Sequence, residues 1–487
     1  MIAQLHDQRP ESVNDHLIAM RKSEVEHLRQ RVPEWDEHTI FAGKAGEMAV
    51  LYGQNNQRTF LLGFGEEKQK KALLNHVIRW MLTYRKHLKE GLAVTCQDKS
   101  LCELLVQGIT MGTYTIPQRN KPDKADPMAL QRLHIVDPDP EGAFGQRLRE
   151  VIEVAQTQKE VMDLVNKPSN ELTPEAMGAW TKSSGERFGY EVEVWDKKKI
   201  EDEGLHGLLS VSQGSVRPPV FIRAHYRPEG LPKDALRLGL IGKGVTFDTG
   251  GVSLKPSENM HYMKSDMGGA SVMLGTMEAI ARLRLPLEVE LLVCSCENAI
   301  GSHAIKPGDV IDSYSGKTIE VLNTDAEGRL ILADGLNYSA RHFKPHVMLN
   351  AATLTGSCVR TLGYDISGMF TTNDELATAL EQAADSSGEE VWRLPLLEAH
   401  GKLLKSDVAD IKNFGNSPLA GASLAAKFLE FFTESHPNWA HLDVAGTVFG
   451  DTPFSKEKNA TGYGVLLLVR LVEQLLANPD TWKTHTV

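Results

Sequence analysis

Cysteine is scarce in this chain of 487 residues, which contains only five. An odd number of cysteines without a CxxC pair does not suit a disulfide scaffold or a four-cysteine zinc site, and it is typical of proteins whose thiols stay reduced. The HExxH motif of many zinc enzymes is also missing. No apolar run reaches the roughly 18 residues of a membrane span, and the first residues lack the apolar core of a secretory signal. These absences predict a soluble cytoplasmic protein without a membrane partner.

The chain contains fewer basic residues than acidic ones. Lysine and arginine number 53 against 64 aspartates and glutamates, which gives a formal net charge of -11. This balance argues against nucleic acid as the main partner and against an anionic membrane surface. The remaining composition, with 41% hydrophobic and 24% charged residues, is that of a folded globular protein. At about 150 residues per domain, the length predicts two or three domains.

Apolar segments of strand length alternate with segments of helical periodicity along most of the chain. This alternation predicts an α/β protein with largely parallel sheets. The segment 15–31, in contrast, is predicted as a long polar helix on the surface. The predicted strands cover residues 59–63, 92–95, 133–136, 220–223, 236–241, 289–296 and 347–351.

Two polar segments indicate a division of the chain. The stretch 118–127 and the Asp-Pro-Asp-Pro sequence at 137–140 have turn and linker chemistry. They predict a smaller N-terminal α/β domain at 1–150. A larger C-terminal α/β domain with a central mixed, largely parallel sheet is predicted at 151–487, and it begins with a linker helix at about 151–165.

The sequence LGLIGKGVTFDTGGVSLKP at 238–256 is an apolar strand that runs into glycines and charges. Open α/β sheets place their ligand sites beyond the carboxyl ends of the strands, so function is expected here. Two nucleotide motifs are excluded. A phosphate-binding P-loop would need glycine where Arg237 stands, and the pattern GxGxxG fails at Phe247.

Acidic residues mark the starts of two predicted helices farther along the chain, in HYMKSDMGGA at 261–270 and VLNTDAEGRL at 321–330. Each acid alone is more often a helix cap than a metal ligand, and each nearby lysine is more often a surface charge. As a set, the acids have the chemistry to converge on two divalent cations. The set comprises Asp248, Asp266, Asp325 and Glu327.

The sequence NTDAEGRL at 323–330, together with GKGVTFDTGG at 242–251 and MKSDMGG at 263–269, closely resembles the leucyl aminopeptidase family of dinuclear metallopeptidases. Further similar segments, LVNKPSNELTPEAM at 164–177 and ATGYGV at 460–465, extend the resemblance over the C-terminal two thirds of the chain. The N-terminal part shows no comparable motif. The resemblance implies a metallo-aminopeptidase that removes the N-terminal residue, Leu-like among others, from peptides in peptide catabolism.

The resemblance also implies a role for each matching residue. Asp248 and Glu327 would bridge the two cations, Lys255 would stabilise the oxyanion, and Arg329 would hold a bicarbonate that acts as general base. The implied metal ligands are Lys243, Asp248, Asp266, Asp325 and Glu327. The implied substrate-binding residues are Met263, Asn323, Thr353, Leu354, Gly356 and Ala445.

This ligand set has a coherent chemistry. Lys243 coordinates a metal only as the neutral amine, and a hydroxide bridged by two metals needs no serine or cysteine nucleophile. The free α-amine of the substrate would bind a metal, which explains trimming from the end. Zn or Mn is expected at the two sites, Mg and Co are also compatible with such ligands, and a homohexamer of two stacked trimers is implied. Val448 stands where methionine is usual, so the side-chain preference stays open.

Two alternatives remain. One is a dipeptidase of the same family, such as a cysteinyl-glycinase, which turnover of Cys-Gly against Leu-amide would distinguish. The other is a binding or regulatory protein in which catalysis is secondary. The complete set of seven polar active-site residues argues against the second alternative.

Overall fold

The computed structural model groups the chain into two compact units, Met1–Lys159 with Thr452–Glu457, and Glu160–Asp451 with Lys458–Val487. The predicted domain boundary at 150 stays a prediction. Most of the polar stretch 118–127 and all of 137–140 lie outside the described residues. The structure describes residues 2–6, 8–10, 12–35, 38–88, 91–95, 98–118, 130, 132–136, 141–415 and 419–483.

The first unit contains a six-stranded sheet in the order β1-β6-β5-β2-β4-β3. Every neighbouring pair is parallel except β3 and β4, which are antiparallel. The strands are β1 Ile2–His6, β2 Asp15–Arg21, β3 Met48–Tyr52, β4 Arg58–Gly65, β5 Leu92–Thr95 and β6 Arg132–Val136. The helices are α1 Val25–Arg29, α2 Lys70–Tyr84, α3 Lys99–Gly112 and α4 Ala143–Asn166, of which the residues from Glu160 belong to the second unit, with short 3-10 helices at Lys22–Glu24, Gln54–Asn56 and Arg85–His87.

The predicted surface helix at 15–31 is wrong. Its first seven residues form β2, which lies between β4 and β5, and only Val25–Arg29 is α-helical. Leu17 and Met20 are fully buried, and Ile18 and Ala19 are nearly so. A run of apolar residues without alternation suits a strand that is covered on both faces. Burial of this run in the sheet therefore determines its conformation, although the residues after it are polar.

The second unit contains an eight-stranded sheet in the order β15-β14-β17-β13-β9-β10-β8-β7. The four strands from β17 to β10 are parallel, while β8 and β7 are antiparallel neighbours at one edge. The strands of this sheet are β7 Glu191–Trp195, β8 Val220–Tyr226, β9 Arg237–Asp248, β10 Glu288–Asn298, β13 Val347–Ala352, β14 Ser367–Phe370, β15 Val391–Arg393 and β17 Trp439–Asp443. A three-stranded sheet contains β11 Val310–Asp312, β12 Thr318–Glu320 and β16 Ile411–Lys412, and a two-stranded sheet contains β18 Phe449–Gly450 and β19 Asn459–Ala460. The predicted fold class, α/β with a mixed and centrally parallel sheet in the larger part, is confirmed.

Helices cover both faces of this sheet. A Cβ on Gly242 of β9 would lie 2.7 Å from Cα of Ala270, whereas a Cβ on Gly335 would lie 3.0 Å from Cγ2 of Ile241. Successive strand residues point to opposite faces, so the helices that carry Ala270 and Gly335 lie on opposite sides. The helices are α5 Pro174–Phe188, α6 Lys197–Glu203, α7 His206–Ser212, α8 Gly268–Arg282, α9 Gly328–His342, α10 Gly356–Leu362, α11 Asp374–Ser387, α12 Glu398–Lys402, α13 Gly421–Glu430, α14 Val465–Ala477 and α15 Pro479–Lys483, with a 3-10 helix at Met260–Ser265.

All seven predicted strands are present, and the helix expected near residues 151–165 is part of α4. The helix expected near residue 330 begins at Gly328, as α9. Every described helix is too short or too polar to cross a lipid bilayer.

Candidate active site

The predicted acidic residues meet at the carboxyl edge of the larger sheet. Asp248 is the last residue of β9, Asp266 lies just before α8, and Asp325 and Glu327 lie just before α9. Parallel strands end at the same edge of a sheet, so residues far apart in sequence come together there. Oxygens of Asp248, Asp325 and Glu327, one from each, lie within 4.8 Å of one another.

Lys243 lies at the centre of this group and is 2% exposed. Its Nζ lies 2.8 Å from Oδ1 of Asp266 and 2.7 Å from Oε1 of Glu327, and it donates to the carbonyl oxygen of Thr353 at 2.9 Å. Gly328 makes room for the side chain, because a Cβ at that position would lie 2.6 Å from Cε of Lys243.

Lys255 forms the second basic position. Its Nζ lies 2.7 Å from Oδ2 of Asp248 and also pairs with Asp325. The Lys255 side chain is 20% exposed, and it lines the same cavity as the carboxylates. It therefore presents a cation to whatever enters that cavity.

Uncharged side chains hold the carboxylates in place. Nδ2 of Asn298 donates to Oδ1 of Asp248 at 2.8 Å and to the carbonyl oxygen of Thr324 at 3.0 Å. Oγ1 of Thr353 donates to Oδ1 of Asp266 at 2.8 Å. The sequence prediction missed Asn298, although its place at the end of β10, beside β9, marks the same edge of the sheet.

Glu327 is not a helix cap. It occupies the N-cap position of α9 but accepts no capping hydrogen bond through its side chain. The carboxylate pairs with Lys243 instead. Glu327 therefore does not cap the helix through its side chain, which is the common role of an acid at a helix start.

The centre has more carboxylates than positive groups to pair with them. The ion pairs of the four acids are made by two lysines, and Oδ2 of Asp266 is buried without a hydrogen-bond partner among the described residues. A buried anion without compensation is costly. Additional positive charge, such as divalent cations supply, fits this set of donors.

Burial is the largest influence on the pKa values of these residues, and the neighbouring charges add to it or oppose it. Burial and the charge of Glu327 raise the pKa of Asp248 to about 7, although Lys255 and Lys243 oppose the shift. Burial also raises the pKa of Asp266 well above its usual range. Burial alone would lower the pKa of Lys243, but the carboxylates of Asp266, Glu327 and Asp248 outweigh it and raise that pKa. Burial alone would raise the pKa of Glu327 as well, but Lys243 and Lys255 outweigh it and lower that pKa.

Arg329 and Asn323 lie beside the centre without lining the cavity. Arg329 is 4% exposed, and its Nη1 donates to the carbonyl oxygen of Asn413 at 2.8 Å. Nδ2 of Asn413 donates to the carbonyl oxygen of Asn323 at 2.7 Å, so one asparagine fixes both segments. Burial lowers the pKa of Arg329 to about 10.

A cavity of about 580 Å³ opens onto the centre. Five of the residues predicted to bind substrate line it, namely Met263, Thr353, Leu354, Gly356 and Ala445. Other lining residues were not predicted, and they include Tyr262, Glu258, Tyr364, Phe449 and Lys458.

A mixed α/β unit whose parallel strands lead into a buried lysine–carboxylate centre has the architecture of a metallohydrolase. The profile of the cytosol aminopeptidase family, catalytic domain, matches residues 159–469. The probable cytosol aminopeptidase of Chlorobium limicola is 41% identical over 458 residues, which cover 89% of this chain and 90% of the relative. The chain therefore belongs to the cytosol aminopeptidase family, and it is a metallo-aminopeptidase.

Solved structures agree with this assignment. The cytosol aminopeptidase of Coxiella burnetii is similar with a TM-score of 0.82 and 28% identity over 97% of this chain and 99% of that one. The bottromycin maturation enzyme BotP in complex with Mn has a TM-score of 0.81 and 27% identity, over 95% of this chain and all of that one. The resemblance inferred from the sequence motifs is thus confirmed for both fold and family.

Proposed function

We propose that this enzyme removes the first residue of peptides that carry a free α-amine, with two divalent cations bound at the carboxyl edge of the larger sheet. The observation that carries the proposal is the excess of buried carboxylates over lysines. The proposed ligands are Lys243, Asp248, Asp266, Asp325 and Glu327. The Mn in BotP makes Mn the first metal to test, before Zn, Mg and Co.

Bound cations would lower the pKa of a water molecule and would stabilise negative charge on the carbonyl oxygen of the substrate. The protein supplies the geometry. Glu327 pairs with Lys243 and Asp248 pairs with Lys255, and these two carboxylates are the proposed shared ligands. Lys243 would act as a ligand only through the neutral amine, so its Nζ would release a proton to solvent when metal binds and would give up its ion pairs with Asp266 and Glu327.

Lys255 and Arg329 have separate proposed roles. Lys255 presents its ammonium to the cavity, where it is placed to stabilise an oxyanion. Arg329 is proposed to hold bicarbonate as a general base. Its Nε is buried and has no hydrogen-bond partner among the described residues, which leaves a donor for such an anion.

The apolar side of the cavity suits a Leu-like first residue. Met263, Leu354 and Ala445 supply this surface, while Thr353 and Gly356 begin the turn into α10. Asn323 is proposed as a further substrate contact. The cytosol is the proposed place of action, which the name of the Chlorobium limicola relative supports. A homohexamer is the proposed assembly.

The test compares Leu-p-nitroanilide with its N-acetylated form after chelation and re-addition of Mn, Zn, Mg or Co in turn. Hydrolysis is expected only for the free amine and only with metal restored. Efficient cleavage of the acetylated compound would refute binding of the amine at the metal centre. Cys-Gly, assayed in parallel with Leu-amide, separates a general aminopeptidase from a cysteinyl-glycinase. A chain that binds peptides but turns over none of these compounds would instead fit the regulatory alternative.

A further inference from the structure

A lysine rests on a tyrosine ring at the wall of the cavity. Nζ of Lys458 lies 3.9 Å from the ring centroid of Tyr364, and both residues line the cavity. Tyr364 is 49% exposed and Lys458 is half-buried. The pair therefore stands between the solvent and the interior of the site.

The backbone places this pair beside the proposed pocket for the first side chain. A Cβ on Gly446 would lie 3.5 Å from Cα of Tyr364, so the residue after Ala445 packs against the tyrosine segment. Lys458 immediately precedes β19, whose Ala460 pairs with Phe449 of β18. The centroid of the Phe449 ring lies 5.6 Å from that of Tyr262, close to Met263. One continuous wall thus connects the pocket residues to the lysine.

The charge of Lys458 is not neutralised by any carboxylate of the described residues. Among the residues that the structure describes, no carboxylate forms an ion pair with it, and Tyr364 is its aromatic partner. An aromatic face attracts and orients an ammonium group but leaves its net charge in place. Outside the catalytic centre, Lys458 and Glu258 are the charged residues that line the cavity within the described part of the chain. Lys458 is therefore the cation there that is available to an incoming anion.

We propose that Lys458 is a specificity-determining residue that binds a carboxylate of the peptide substrate, with Tyr364 holding its ammonium in position. The proposal rests on the proposed function, because Met263 and Ala445 are assigned to the substrate pocket there. A peptide offers a carboxylate from two sources: an acidic first side chain, or the free C-terminus of a short peptide. Both would meet the same ammonium through a charge-assisted hydrogen bond.

The experiment uses the full-length metal-loaded enzyme and two pairs of substrates. Glu-p-nitroanilide against Leu-p-nitroanilide tests the side-chain source, and Leu-Gly against Leu-Gly-amide tests the C-terminal source. The variants are Lys458→Gln, which removes the charge, and Lys458→Arg, which keeps it. Lys198→Gln, on the exposed surface of α6, is the matched control for loss of one lysine.

In Lys458→Gln, kcat/KM should fall roughly 5- to 10-fold for the carboxylate member of at least one pair, because KM rises. For the uncharged member, kcat/KM should stay within about twofold of the wild type. Lys458→Arg should stay close to the wild type. Which pair responds identifies the source of the carboxylate. Equal changes within both pairs, no change in either, or an equal loss in the Gln and Arg variants would overturn the proposal. Failure of the wild type on Leu-p-nitroanilide would instead refute the proposed function.

Discussion

Asn298 joins two of the segments that form the proposed metal centre, and its loss should weaken that centre directly. The residue is 3% exposed, and its amide donates to the carboxylate of Asp248 and to the carbonyl of Thr324, next to Asp325. Alanine removes both bonds. A bond to a charged group contributes about 1.5–3 kcal/mol and a neutral one about 1 kcal/mol, so the metal-free protein should lose roughly 2.5–4 kcal/mol of stability.

The same change should lower metal affinity roughly 10- to 100-fold, because side chains that orient ligands contribute at that scale. Asp248 keeps its bonds to Lys255 and to the backbone N–H of Gly250, so the site should be loosened and not abolished. Asn298→Asp should be worse, since it places a second carboxylate against Asp248. Activity at saturating metal should recover more in the alanine variant than in the aspartate variant.

Asn337 provides a matched control. It is 1% exposed, and its amide also donates to one carboxylate, of Glu434 at 2.7 Å, and to one carbonyl, of Phe432 at 3.3 Å. Because the Glu434 side chain is 46% exposed, Asn337→Ala should cost less stability than Asn298→Ala, and it should leave metal affinity unchanged. Urea unfolding of the chelated proteins measures the free energy of unfolding, and competition titration with a metal indicator measures the metal affinity. If Asn298→Ala binds metal within about threefold of Asn337→Ala, the proposed positioning role is refuted.

Three further predictions follow from the same centre and from the family. Glu327→Gln keeps the size of the side chain but removes one charge, so at least one metal should bind more weakly and turnover should fall. Arg329→Ala should keep both metals and lose turnover. Two retained ions and normal turnover in Glu327→Gln would contradict the ligand assignment. Gly328→Ala should impair metal binding, because its Cβ would lie 2.6 Å from Cε of Lys243, and full metal content would show that the lysine can move aside. Light scattering should give the mass of a hexamer, and a monomeric mass at working concentration would exclude that assembly.

Local sequence patterns predicted much of the fold for a physical reason. Strands such as β9 and β10 are long apolar runs bounded by polar residues, and this pattern holds wherever a parallel sheet is covered on both faces. The same reasoning missed β2, because its apolar run is followed directly by the charged residues of Lys22–Glu24 and α1. Periodicity alone did not show where the buried strand ends and the exposed segment begins.

The residues that support the site were beyond the reach of local patterns. Asn298 is 50 residues from Asp248, Asn413 is 84 from Arg329, and Lys458 is far in sequence from Tyr364. An asparagine or a lysine carries no signal of such a partner. The four acids of the proposed metal site stand out in the sequence because they lie beside glycines within short motifs, and the family resemblance added Lys243 to the proposed ligands. Their hydrogen-bond partners come from the ends of other strands.

Glu327 shows how local rules and tertiary structure combine at the centre. Its position before α9 follows from helix chemistry, which favours an acid near the positive end of the helix dipole. That rule alone gives it an exposed cap role, yet the side chain is 2% exposed and pairs with Lys243 of β9. The difference comes from Gly328, whose missing Cβ lets the lysine approach the start of the helix. As a helix-start charge, the carboxylate of Glu327 would stabilise α9 by less than about 1 kcal/mol. In this structure it is part of a buried centre whose excess of carboxylates favours the binding of metal ions.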